Sequence, residues 1–156
     1  MKRTIAFLLT ILLLIAAFHG SALANVPDAV YEEIDWPIYV DDIRIDAPPP
    51  LMTDVGCRQV PVRAIAEALG FVVRWHSGTR TITLDDTISF VIGQNRYEIG
   101  DKIIEMDCYA LTVPQIWKGS AYVPFCFFRD MLEMTESRAR DGTIRINSEG
   151  GFVASS

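Results

Sequence analysis

A short run, Val60-Pro61-Val62-Arg63-Ala64-Ile65-Ala66-Glu67-Ala68-Leu69-Gly70, returns in outline 63 residues later, and that recurrence limits what this chain can become. Pro61 stands where the first turn of a helix tolerates a missing amide, and Gly70 where a left-handed cap closes one. Val62, Ile65, Ala66 and Leu69 fall at i, i+3, i+4 and i+7, so the spacing predicts a short helix with one buried stripe, while Arg63 and Glu67 form an outward i,i+4 pair. Val123-Pro124-Phe125, Phe128 and Leu132 repeat the stripe, with Arg129 and Glu133 as its outer pair; Glu133 replaces the capping glycine and Arg138 replaces Trp75. Two helices this short cannot bury themselves. Each needs a sheet beneath it.

Strand-like runs supply that sheet. Ile38-Tyr39-Val40 and Ile43-Arg44-Ile45 flank Asp41-Asp42, the spacing of two strands joined by a two-residue turn. Phe71 to Trp75 and Thr79 to Leu84 flank Ser77-Gly78, and Asp141-Gly142 precedes the last strand, Thr143 to Ile146. Thr87 to Ile92, Arg96 to Ile99 and Lys102 to Met106 fill the space between the copies, whereas Pro48-Pro49-Pro50 halts any ladder. The expected fold class is α+β: an antiparallel sheet of short strands packed on two short helices, in two pseudo-repeats, about 38–92 and 96–148 of a domain spanning 38–148, with 149–156 as a flexible tail.

The beginning of the chain reads differently. Lys2 and Arg3, the apolar stretch Ile5 to Phe18 and the small-x-small end Ala22-Leu23-Ala24 form a secretory signal over residues 1–24, since the apolar run is shorter than the roughly 20 residues of a bilayer span. Residues 25–37 follow as an acidic leader or linker without clear periodicity. The expected product is secreted, extracellular or associated with the cell wall, and has no membrane span once the signal is cut. With the signal the formal net charge is -6; without Lys2 and Arg3 it is -8, which is no footprint for a phosphate backbone and makes nucleic acid an unsuitable partner.

The string Cys57-Arg58-Gln59-Val60-Pro61-Val62-Arg63-Ala64-Ile65-Ala66-Glu67-Ala68-Leu69-Gly70-Phe71, with Val73, Trp75 and Thr81-Ile82, resembles the signature of the copper amine oxidase N-terminal-like domain, also called the stalk domain. Tyr122-Val123-Pro124-Phe125 and Phe128 are a weaker second match, and the two together cover about residues 38–147. The resemblance implies a small antiparallel sheet wrapped on a helix, an accessory and non-catalytic module common in exported proteins of Gram-positive bacteria. It implies no copper or quinone chemistry, which in the oxidases belongs to a separate catalytic domain. The three cysteines depart from the usual pattern, so no redox role comes with the likeness.

Individual residues point the same way. Asp41-Asp42 and Asp85-Asp86 are adjacent carboxylates, which an extended strand sends to opposite faces, and they suit turns better than acid-base work. His76, the one imidazole left after signal removal, has no evident nucleophile or orienting partner, so no catalytic residue is assigned and the chain is expected not to be an enzyme. A metal-handling or redox-active protein using the cysteines, Met106, Met131, Met134 and His76 is the competing class; no cofactor is assigned. Cys57 and Cys126 sit near the starts of the two helices and would form a disulfide if the copies approach about a pseudo-twofold axis, although Cys108 is an equal partner for either and three buried thiols an equal alternative. Trp117, in the stretch Ile116 to Ser120 between expected strands, with Lys118 and Tyr122, forms the expected partner-binding set, because an apolar side chain on such a loop lacks a core reason. The expected partner is a cell-wall polymer, a protein or a second copy of the chain.

Overall fold

A computed structural model of the protein describes residues 30–106 and 113–152. The expected signal, Cys108 and Tyr109 lie outside the described residues. Of those described, 41% are strand and 11% helix, arranged as three sheets. This corrects the α+β expectation: the protein is mostly β, and its two helical pieces are filling between sheets instead of a layer laid on one. The helical segments are too short to form a layer. One is seven residues, α1 (Val62–Ala68), and the other is a five-residue π-helical turn, Phe127–Met131.

The strands are β1 (Tyr31–Glu33), β2 (Ile38–Val40), β3 (Ile43–Arg44), β4 (Leu51–Thr53), β5 (Arg58–Pro61), β6 (Val73–His76), β7 (Thr81–Leu84), β8 (Ile88–Val91), β9 (Tyr97–Ile99), β10 (Lys102–Ile104), β11 (Gln115–Trp117), β12 (Ser120–Pro124), β13 (Arg138–Arg140) and β14 (Thr143–Ile146). One five-stranded sheet runs β1-β4-β5-β12-β11, a second is the meander β10-β9-β8-β7-β6, and a four-stranded sheet runs β13-β14-β2-β3. Every pairing is antiparallel except β14 with β2, which places Ile144 beside Ile38. β1 lies in the stretch expected to be a linker.

Tight turns explain why so many short strands form. Asp41 and Asp42 both have positive φ, 47° and 63°, as do Asp85 and Asp86, Lys118 and Gly119, and Asp141 and Gly142. Two successive left-handed residues make the type I′ turn whose twist matches that of the flanking strands. The paired aspartates thus close β2–β3 and β7–β8 in place of the usual Asn-Gly. Aspartate tolerates left-handed backbone better than most side-chain-bearing residues.

The central pairing joins the two halves. β5 and β12 lie antiparallel with Val60 opposite Val123 and with Pro61 and Gln59 opposite Tyr122 and Pro124. Val60 and Val123 are also the residues matched by the 63-residue shift, so the register is symmetric about that pair. From it each chain direction runs into a helical segment. Ile65, Ala66, Phe127, Phe128 and Leu132 are fully buried and pack in one core with Ile82, Phe90 and Tyr97 from the meander and Ile144 and Ile146 from the small sheet. Phe127 is the hub, its ring 5.4 Å from Phe90, 5.5 Å from Tyr97 and 5.1 Å from Phe128. Such tilted and edge-on pairs add to the area they bury. Residues from the expected tail also pack, Phe152 N donating to Leu132 O at 2.8 Å.

The two helical segments end alike although their sequences differ. Gly70, at φ 92°, donates to Glu67 O while Phe71 N donates to Ala66 O, the paired bonds of a Schellman cap. Glu133 occupies the corresponding place at φ 57° and is followed by Met134 N donating to Phe128 O at 3.2 Å. Leu132 N donates to Phe127 O, five residues back, and a reach of five in place of four is what makes the second segment π-helical. A side chain in left-handed backbone is penalised by roughly 1 kcal/mol, so Glu133→Gly should stabilise the protein by up to about 1 kcal/mol after the greater unfolded freedom of glycine is set against it. Gly70→Ala should do the opposite. Urea midpoints of the two variants check this, and a lower midpoint for Glu133→Gly would show that contacts of its side chain outweigh the strain.

Candidate functional site

The first sheet curls until its two edges meet. β1 and β11 are at opposite ends of the strand order, yet Trp117 Nε1 donates to Glu33 Oε1 at 3.1 Å, Lys118 Nζ pairs with the same oxygen at 2.9 Å, and the rings of Tyr31 and Trp117 are 5.9 Å apart. Strand alternation sends Tyr31, Glu33, Gln115 and Trp117 to the concave face along with Leu51, Thr53, Gln59 and Tyr122. Leu51 and Gln59 are fully buried there, and Tyr122 is 1% exposed with its hydroxyl donating to Pro49 O at 3.0 Å. The three residues expected to bind a partner are therefore placed apart in role. Trp117 and Lys118 latch an edge, and Tyr122 is inside the curl.

Electrostatics agree with this arrangement. The bonds from Lys118 and then Trp117 hold the Glu33 carboxyl below its ordinary value, while burial, with the Glu33 charge as a smaller cause, raises the Tyr122 hydroxyl. Burial also raises Tyr31, assisted by Cys57 and Asp54. Cys57 is buried in the turn between β4 and β5, its amide donating to Thr53 Oγ1 at 2.9 Å. Cys126 is buried at the start of the π-helical turn with its sulfur 3.0 Å from Met106 Sδ, and Asn95 holds that methionine by both backbone groups at 2.9 Å. Cys57 and Cys126, one of the pairings left open by the sequence, have different neighbours, and no bond joins them here. His76 is exposed on β6, its Nε2 3.3 Å from Thr83 Oγ1. Among the described residues no three His, Cys, Asp or Glu side chains converge on a point where a metal would sit.

A groove opens on the convex side of the same sheet. Its volume is about 580 Å³, and its walls are the start of α1, the inner side of the β6–β7 hairpin and the β11–β12 turn, with Pro48 and Asp46 at one end. Trp75 and Ile116, each 42% exposed, are the two large apolar side chains on its lining that stay open to solvent. Pro61, Val62, Ala64 and Ala121 also line it. Arg63 Nη1 bridges Glu67 Oε1 at 3.0 Å and the Val73 carbonyl at 3.4 Å, which ties the helix to edge strand β6. A polar hollow of about 560 Å³ adjoins it, sharing Asp46 and Pro48.

Sequence reasoning singles out Trp117 on β11 and passes over its neighbour Ile116. In Gln115-Ile116-Trp117 the middle residue faces away from the other two, so the strand that sends Trp117 to its latch leaves Ile116 in the groove. The readable signal is the alternation of Phe71, Val73 and Trp75, an inward series whose last member lies beyond the helix that would cover it.

Comparison with known proteins bears on this groove through the elements that build it. The family described as the copper amine oxidase N-terminal domain matches residues 39–146, which takes in both halves. A protein of Brevibacillus choshinensis named "Protease inhibitor" is 28% identical over 98 residues, 61% of this chain and 28% of the relative's length. The matched part is thus well under half of that relative. No solved structure matches.

The latch makes a pH prediction. A carboxylate whose folded pKa lies below its unfolded one contributes stability that is fully present above the ordinary value of 4.5 and is lost as pH falls through the folded pKa. In a Trp36→Phe, Trp75→Phe background, Trp117 emission should therefore stay constant down to about pH 4.5 and shift to the red below it. Glu33→Gln should abolish that transition; an unchanged transition in this variant would show that another group drives it.

Proposed function

We infer the function from one premise: the chain belongs to the copper amine oxidase N-terminal domain family. The reading is a non-catalytic interaction module of an exported protein, which holds a partner protein at the groove between α1, β6 and β11. The observation that carries it is the pair Trp75 and Ile116, two large apolar side chains left 42% exposed on the lining of one groove while Phe127, Phe128 and Tyr97 are wholly buried. Exposed apolar groups gathered in a concave site are what binding sites are lined with. Aromatic anchors in a concave apolar site are what protein interfaces use most.

The resemblance of the first 24 residues to a secretory signal supports the exported part of this reading, and a net charge of -8 after its removal supports a partner other than nucleic acid or anionic lipid. Among the described residues no helix is long and apolar enough to cross a membrane. The Brevibacillus relative is named for inhibiting a protease, an act performed on a protein, which favours a protein over a wall polymer as the partner here.

The test places a photo-crosslinking amino acid at Ile116 in the full chain, expressed in its own host, with Ile103 as the control. Ile103 is 58% exposed on the edge strand β10, far in the strand order from β6. A discrete protein adduct from position 116 and none from position 103 is the expected outcome. Equal adducts from both positions, or adducts from neither, would refute the groove as the binding surface.

A further inference from the structure

The groove has a counterpart in the other half of the molecule, and the counterpart is covered. Under the 63-residue shift that sets Val60 against Val123, Val62 corresponds to Phe125, Trp75 to Arg138 and Ala121 to Arg58. Phe125 is only 7% exposed, with the Arg129 guanidinium 5.9 Å from its ring. Arg58 carries the ring of Trp36 at 5.1 Å. Trp36 belongs to the stretch Ile34 to Pro37, which is pinned at both ends: Ile34 N donates to Pro50 O at 2.9 Å, and Ile144 N donates to Pro37 O at 3.0 Å. The chain itself thus lays a short polypeptide stretch with one tryptophan over the wall of the second half. To the groove of the first half the same part of the chain brings Asp46 and Pro48, at one end, and leaves Trp75 and Ile116 42% exposed.

Resting on the proposed interaction function, we infer that the groove receives an extended polypeptide segment of a protein partner, carrying a large apolar side chain with a lysine or arginine beside it. The apolar part follows from the lining, where Trp75 and Ile116 join Pro61, Val62 and Ala121. The extended part follows from β6. Asp85 N donates to Val72 O, so the alternating ladder directs the N–H and C=O groups of Val73 and Trp75 to the open side of this edge strand. Arg63 takes the Val73 carbonyl, and the backbone of Trp75 remains for a strand laid alongside. The basic part follows from charge. Asp46 and Glu67 are both exposed at the groove, and Arg63, its one cation among the described residues, is drawn against Glu67 and β6. A cationic side chain entering beside Asp46 meets a carboxylate on a chain that already carries net negative charge.

Selection from a random peptide library displayed on phage, against the whole protein without its signal, tests the proposal. Enriched peptides should share an aromatic or large aliphatic residue next to Lys or Arg. Trp75→Ala and Ile116→Asp, both changes at exposed side chains, should each weaken a synthetic copy of the leading peptide roughly tenfold or more. Asp46→Lys should remove the preference for the basic residue while leaving the apolar one, a result that loss of folding could not imitate. Circular dichroism of each variant confirms its fold. No enrichment, enrichment of acidic peptides, or peptides that bind all three variants as they bind the parent would overturn the inference. So would sedimentation showing that the protein dimerises by itself and that Ile116→Asp abolishes the dimer, since the occupant would then be a second copy. A groove adduct in the Ile116 crosslinking experiment together with any of these results would leave the module intact and dismiss only this description of its ligand.

Discussion

The ladder between β5 and β12 is the contact on which the rest of the molecule depends. It joins strands far apart in sequence, and its register sets Val60 against Val123, so that the helical segment leaving one strand is mirrored by the segment leaving the other. A slip of one residue would set Val60 against Tyr122 or Pro124, so that one strand or the other would turn its valine from the main core to the concave face. Both helical segments depart from this ladder at its two ends. Ile65 and Phe128, each fully buried, then reach the same interior from opposite sides.

Symmetry in the ladder does not extend to what covers it. The first half is built on small residues, Val62, Ala64 and Ala66, and retains a regular helix; the second is built on Phe125, Phe127 and Phe128, and widens to a π-helical turn to seat them. The aromatic half fills the core with the meander, where Phe127 touches both Phe90 and Tyr97. The small-residue half leaves room at the surface. A groove lined by Ala64 and Ala121 is the consequence.

Curling of the first sheet serves the same end. With β1 drawn to β11 by Glu33, Trp117 and Lys118, the concave face becomes a closed interior around Leu51, Gln59 and Tyr122. The convex face is then left to the helices and the groove. Trp117, which looks like a displayed aromatic when read in isolation, closes the sheet. Its neighbour Ile116 is the displayed one.

Much of this was written in local pattern. The α1 stripe, the Arg63–Glu67 pair, the Gly70 cap and the hairpins at Asp41-Asp42 and Asp141-Gly142 depend on residues within about ten positions of one another, and short-range rules reach that far. The internal shift that relates the two halves, and the family likeness it carries, were legible for the same reason. The balance of sheet over helix was not, because Val123 to Leu132 has the spacing of an α-helix and only its crowded phenylalanines, meeting Phe90 and Tyr97 across the core, widen it to a π turn. Nor did any local rule place Glu33 beside Trp117, 84 positions away, or bring Ile116 and Trp75 to one groove. Closure of a sheet and the meeting of two walls are set by how separate elements pack, and a stretch of chain read alone holds no information about the surface that another stretch will bring to it.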